Sequence, residues 1–214
     1  MFSKSNYPRF ARSVFTAPSK YASLASGGGG GGSGNSNSTP NRFIVPEHVY
    51  GCSAKGTKGN IMHMNSEGHL VYPSAACGIV WDVDNNRQVI FNQHDDDVVC
   101  VGLHPDRVLA ATGQIGKDDM IHVWDTRTGE LVTRLDTRVH FQAGGVLSLC
   151  FSNDGSKIAA VGGNPLDSVL LIYDWQSGAL IGKTKCHNES VYCLQFLPDD
   201  SQVVMCGKDI IKFF

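Results

Sequence analysis

An all-β chain of sheets stacked around a common axis, a β-propeller of about four blades, is predicted by three observations in this 214-residue sequence. A closing aromatic recurs at Trp81, Trp124, Tyr173 and Phe214, in steps of 43, 49 and 41 residues, within or near the period at which propeller blades repeat. A loop histidine and a turn aspartate precede it at regular spacing. His94 to Asp106 and His187 to Asp199 are both 12 residues apart, and His140 to Asp154 is 14, with Gln142 to Gly145 as a natural place for two extra residues. Between these markers the chain reads as short apolar strands and tight turns, with no convincing helix.

Residues 1–42 contain the run Gly27 to Gly32 and then Ser33-Gly34-Asn35-Ser36-Asn37-Ser38. That composition has too little apolar surface to offset chain entropy, so the segment is expected to be a disordered tail. It carries Lys4, Arg9, Arg12, Lys20 and Arg42 and no acid, a formal charge of +5 against −7 for the remainder. Three readings of it stand: a merely soluble tail, an electrostatic arm for a polyanion, or a mitochondrial-type transit peptide whose amphipathic helix Pro8 and Pro18 would interrupt.

Residues 43–83 include Val49-Tyr50-Gly51-Cys52, Asn60 to Met64 and His69 to Asp82, two or three strands that end in a Trp81-Asp82 step. With no His-to-Asp pair, this segment reads as an atypical first blade. Residues 84–214 hold three repeats. The first has strands at Val98 to Val101, Val108 to Ala111 and Met120 to Trp124. The second has Val146 to Phe151, Lys157 to Val161 and Val169 to Tyr173, and the third Val191 to Phe196, Gln202 to Met205 and Ile210 to Phe214. Turn chemistry separates them, as at Asn153-Asp154-Gly155, and Gly129 and Gly178 occupy the same offset in the joints between repeats.

Each such unit is a four-stranded antiparallel sheet with two apolar faces, which it can bury only against neighbouring units. The recurring polar residues are expected to form a buried clamp. In it the loop histidine (His94, His140, His187) donates to the turn aspartate (Asp106, Asp154, Asp199), and a small hydroxyl and the closing aromatic (Trp124, Tyr173, Phe214) complete the chain. Ser148 takes the small position in the middle repeat, whereas Cys100 and Cys193 fall there in the other two.

Catalytic patterns fail on inspection. Gly182-Lys183-Thr184 resembles the end of a phosphate loop, but the required first glycine is Ser177 and the segment reads as strand. The polyglycine run has no strand before it and no helix after it. The histidines at 94, 140 and 187 are accounted for by the repeat, and no His-Glu-x-x-His or paired-cysteine spacing exists. No enzyme, cofactor or metal is expected. Seven cysteines, an odd number without a Cys-x-x-Cys pair, read as free thiols in a reducing compartment, with Cys100, Cys150 and Cys193 in buried strands. No apolar run approaches the ~18 residues of a membrane span, so a cytosolic protein with neither membrane nor nucleic acid as partner is expected. Asp95-Asp96-Asp97 reads as a solvated turn or as a contact for a cation or basic partner.

Trp81-Asp82 and Trp124-Asp125, with the loop histidine and turn aspartate, resemble the WD-repeat family. Val49-Tyr50-Gly51, Asn60-Ile61 and Val71-Tyr72 resemble the hydrophobic (HELP) motif that opens the propeller region of echinoderm microtubule-associated protein-like proteins. His94 to Gln114 is similar to that family's first full blade, as are Val169 to Trp175 and Cys206 to Phe214 later on. The resemblance covers roughly residues 46 to 214. It implies a non-catalytic scaffold in the cytoplasm and on the cytoskeleton, binding tubulin or microtubules and other proteins through the propeller surface. Arg9, Arg12, Lys20 and Arg42 of the tail, with Lys55 and Lys58 of the motif, are the candidate partner contacts. The alternative is a general WD-repeat adaptor without a tubulin role. Since family propellers have more blades, the chain is expected to be the first part of a longer propeller, the alternatives being closure as a four-bladed ring or completion by another copy.

Overall fold

The computed structural model describes residues 46–52, 61–116, 120–141, 144–164, 167–186 and 190–214. Among these residues, fifteen strands form four separate antiparallel meanders. The first sheet is β1 (His63–Met64), β2 (Leu70–Ser74), β3 (Cys77–Asp82) and β4 (Arg87–Phe91). The second is β5 (Val98–Leu103), β6 (Leu109–Gln114), β7 (Met120–Asp125) and β8 (Leu131–Asp136). The third is β9 (Val146–Phe151), β10 (Lys157–Gly162), β11 (Val169–Asp174) and β12 (Ala179–Lys185), and the fourth is β13 (Val191–Phe196), β14 (Val203–Gly207) and β15 (Ile210–Phe213). No helix occurs among the described residues. The first sheet has four strands and runs on through Phe91, beyond the boundary drawn at residue 83.

The repeat extends to the irregularities of the ladders. In the second, third and fourth sheets the opening strand carries one extra residue at the same place: Val99 between Val98 and Cys100, Leu147 between Val146 and Ser148, and Tyr192 between Val191 and Cys193. A further bulge sits beside the closing aromatic, at Val132 opposite Trp124 and Ile181 opposite Tyr173. Bulges add local twist and re-aim side chains, and here they recur as part of the blade design.

Three apolar layers lie between successive sheets. Val71, Val80 and Phe91 of the first meet Val101, Ala110 and Trp124 of the second. Ala111, Ile121 and Val123 of the second meet Val146, Ile158 and Leu171 of the third. Cys150, Ala159 and Leu170 of the third meet Leu194, Phe196 and Met205 of the fourth. Close approach is possible where side chains vanish: a Cβ on Gly78 of β3 would lie 2.5 Å from Trp124 Cζ2. The outer face of the first sheet is covered by its own preceding chain. Val49 packs on Tyr72 and Ile79, and its backbone N–H and C=O both bond the Gln88 side chain, at 2.7 and 3.0 Å. The outer face of the fourth sheet has no such strap among the described residues, and there Ile211 is 70% and Phe213 56% exposed.

Candidate functional site

The second sheet contains a polar chain that begins in the core and ends at the surface. Trp124 Nε1 donates to Thr112 Oγ1 at 3.1 Å, and the Thr112 hydroxyl lies 2.7 Å from His94 Nε2. His94 Nδ1 is 2.6 Å from Gln114 Oε1, and the Gln114 amide donates to the Asp95 carboxylate. The directions agree if His94 is neutral, donating from Nδ1 and accepting at Nε2. Burial pushes His94 down to about 4, against the opposing pull of the Gln114 bond and Asp95. His122 stacks on His94 with ring centroids 4.2 Å apart, and Phe91 stacks flat on Trp124 at 5.0 Å. Burial first, then His94 and Arg134, hold His122 at about 3, and its Nδ1 is buried without a hydrogen-bond partner.

This arrangement corrects the expected clamp. His94 does not engage Asp106, because both ring nitrogens are committed elsewhere. The hydroxyl comes from Thr112 on the second strand, a residue outside the expected clamp, whereas Ser148 lies on the opening strand β9. Strand register explains the difference. Trp124 pairs with Ala110, and Thr112 is two residues on, on the same face. The corresponding positions in the other sheets are Tyr72 beyond Leu70, Ala160 beyond Ile158 and Met205 beyond Val203. Neither Ala160 nor Met205 has a hydroxyl, so the third and fourth sheets cannot build this clamp. Tyr173 instead donates its hydroxyl to the Asp136 carbonyl at 3.3 Å, and half-exposed Phe214 lies beneath the Lys212 ammonium at 4.7 Å. His140 is half-exposed in the turn after β8, and His187 lies outside the described residues.

The three turn aspartates do share one role, which is to close the turn between the first and second strands. Asp106 accepts from the N–H groups of Val108 and Leu109 at 2.7 and 3.2 Å, Asp154 from Ser156 at 2.9 Å and Asp199 from Ser201 at 3.1 Å. Bonds from Ser152 and Ser156 draw the Asp154 carboxyl down to about 2, and bonds from Ser201 lower Asp199. For Asp106, burial works upward but is outweighed by the Val108, Leu109 and His104 donors.

These turns also staple neighbouring sheets along one rim. Ser66 N–H donates to the Arg107 carbonyl at 2.8 Å, and Asn65 Nδ2 to Thr126 Oγ1 at 3.3 Å, joining the first sheet to the second. The Gly155 carbonyl accepts from Trp175 Nε1 at 2.7 Å and lies 3.2 Å from His104 Nε2, joining second to third. Asp200 accepts from Asn153 N–H and Asp154 N–H at 2.7 and 2.9 Å, joining third to fourth. Beside the rim an open cleft of ≈ 480 Å³ is lined by His63, Leu103, His104, Arg107, Asn153 and Gln195 among others. It gathers loop and inner-strand residues of all four sheets.

No group of three or more His, Cys, Asp or Glu that could hold a metal occurs among the described residues. Arg9, Arg12, Lys20, Arg42, Lys55 and Lys58 lie outside the described residues.

The sequence profile described as "Echinoderm microtubule-associated protein first beta-propeller" matches residues 87–214. The chain is 30% identical over 184 residues to echinoderm microtubule-associated protein-like 1 of Rattus norvegicus, covering 82% of this chain and 22% of that relative. It is 32% identical over 177 residues to echinoderm microtubule-associated protein-like 2 of Homo sapiens, covering 78% and 27%. Against the 77 kDa echinoderm microtubule-associated protein of Strongylocentrotus purpuratus it is 28% identical over 182 residues, covering 82% and 26%. The chain thus spans 22–27% of the length of these relatives.

Proposed function

Since the chain belongs to the echinoderm microtubule-associated protein family through that family's first β-propeller, we propose that it is a non-catalytic scaffold that binds tubulin or microtubules through its stacked sheets. The observation that carries this reading is the family match over residues 87–214, which takes in all three repeats and the rim they build. Most of the polar side chains described above are engaged in internal bonds: His94 bonds both Thr112 and Gln114, and Asp106, Asp154 and Asp199 close their turns. That is the economy of a docking scaffold, in which function lies in the surface the fold presents. The same reading places the protein in the cytoplasm and on the cytoskeleton.

The basic tail has a defined part in this proposal. Tubulin surfaces are acidic, so Arg9, Arg12, Lys20 and Arg42 contribute attraction that salt screens over a Debye length of about 8 Å at physiological ionic strength. Lys55 and Lys58 are further candidate contacts. The test is co-sedimentation with polymerised tubulin at low and high salt, with the whole chain and with residues 1–42 removed. The whole chain is expected to pellet, and less so as salt rises. Absence from the pellet in every buffer, with other proteins captured instead, would favour a general WD-repeat adaptor.

A further inference from the structure

The fourth sheet differs from the others in carrying two thiols face to face. Cys193 of β13 and Cys206 of β14 are directly opposed partners in the antiparallel ladder, the first pair after the bulge at Tyr192, and their Sγ atoms are 2.9 Å apart. Directly opposed residues in such a ladder have Cα atoms roughly 4.5–5.5 Å apart. That spacing lies inside the window of about 4.4–6.8 Å that a disulfide spans. Both thiols are half-exposed, whereas Cys100, Cys150 and Cys186 are buried. Ile211 is the ladder partner of Cys206 on β15, so it shares their face, and it is 70% exposed. Cys193, Cys206 and Ile211 thus lie on one face of the sheet, and neither sulfur is buried among the described residues. None of the bonds that build the clamp or the rim uses either sulfur.

We propose that Cys193 and Cys206 form a reversible cross-strand dithiol–disulfide couple, a redox-sensitive modification site whose oxidant is a small-molecule disulfide of the glutathione class. One cysteine thiolate attacks a sulfur of the external disulfide, forming a mixed disulfide and expelling one thiolate, which takes up the first proton. The second cysteine, as thiolate, then attacks the protein sulfur of that mixed disulfide. The Cys193–Cys206 bond forms, and the second small thiol leaves with the second proton. The two cysteines lose two electrons and two protons, and the reagent gains them as two thiols. Burial, and then the bond to Cys206, push Cys193 up to about 11; because a thiolate is the attacking species, closure should quicken as pH rises. Cross-strand closure would pin β13 to β14 beside the bulge and consume both thiols. The exposed Cys52, in the strap before the first sheet, should instead carry a removable mixed adduct.

The experiment equilibrates the whole chain with oxidised and reduced glutathione over a range of ratios, quenches with acid, and unfolds and alkylates the protein with N-ethylmaleimide. The reduced chain should take up seven adducts, one per cysteine. The oxidised chain should protect Cys193 and Cys206 together, and chymotryptic digestion, which cuts after Leu194 and Phe196, should yield peptides joined through them. Dithiothreitol should restore both sites. Cys193→Ser and Cys206→Ser should each abolish the joined peptides, and Cys52→Ser should retain them. If the folded wild-type chain shows Cys193 and Cys206 alkylated throughout, or holding glutathione separately without joining, the couple does not exist.

Discussion

Thr112 ties Trp124 to His94 in the buried polar chain of the second sheet, so its hydroxyl carries a larger burden than its size suggests. Thr112→Val keeps the shape but leaves Trp124 Nε1 and His94 Nε2 unpartnered in the core. Orphaned buried groups cost ~1–3 kcal/mol each, so a loss of about 2–4 kcal/mol is expected, read as a lower urea midpoint at unchanged slope. Ser148→Ala should stay within about 1 kcal/mol, and the opposite ranking would return the hydroxyl role to Ser148. The same cluster makes a pH prediction. His94 and His122 are held at about 4 and about 3 in the fold, whereas an unfolded chain protonates histidine near ~6.5. The unfolded state therefore binds more protons below that value. The contribution is complete above pH ~6.5 and shrinks as pH falls toward about 4 for His94 and about 3 for His122, by ~2 kcal/mol for each at pH 5. Asp125 and Asp136 are lowered, by their Arg127 and Arg138 side-chain bonds first, so their contribution is lost only at more acid pH. Melting temperature should drop between pH 7 and pH 5, and His122→Phe should flatten that drop. A melting temperature that does not change across this range would show that the two rings are not buried neutral.

At the level of strands and turns, the rim staples can be separated from backbone strain by comparing two aspartates. Asp200 and Asp209 both have positive φ, 54° and 55°, a conformation glycine adopts without penalty. Asp209→Gly should leave thermal stability unchanged or slightly higher. Asp200→Gly should lower it, because Asn153 and Asp154 lose their acceptor across the sheet boundary. Gly78→Ala should also destabilise, since its new methyl would strike the Trp124 ring. Equal behaviour of the two aspartate variants would remove the inter-sheet bonds from the account. These elements also show what the sequence made legible. The first three strands of each repeat were readable because they alternate or run apolar between turn residues. The outermost strands β8 and β12 gave little signal: Leu131–Asp136 buries only Leu135, and Ala179–Lys185 is exposed at six of its seven positions. Their identity comes from pairing with β7 and β11, which no local pattern encodes. The clamp was half legible for a similar reason. Spacing found His94 and Trp124, but Thr112, Gln114 and His122 belong to it through cross-strand register.

Over the whole molecule, charge is divided between a tail of +5 and a remainder of −7. If the tail is the arm that reaches an acidic polymer, its removal should do more than weaken co-sedimentation: it should invert the salt response. The whole chain should lose binding as ionic strength rises, while the shortened chain, repelled at low salt, should recover some. Parallel salt curves for the two would leave the tail without a role. The stacked sheets also differ in how firmly they are held. The second sheet is packed on both faces and laced by the Thr112 chain, whereas among the described residues the fourth is packed on one face and its last strand has exposed Ile211 and Phe213. Backbone amides of β6 and β7 should accordingly trade their protons for solvent deuterons last and those of β14 and β15 first, so that the molecule breathes from one end.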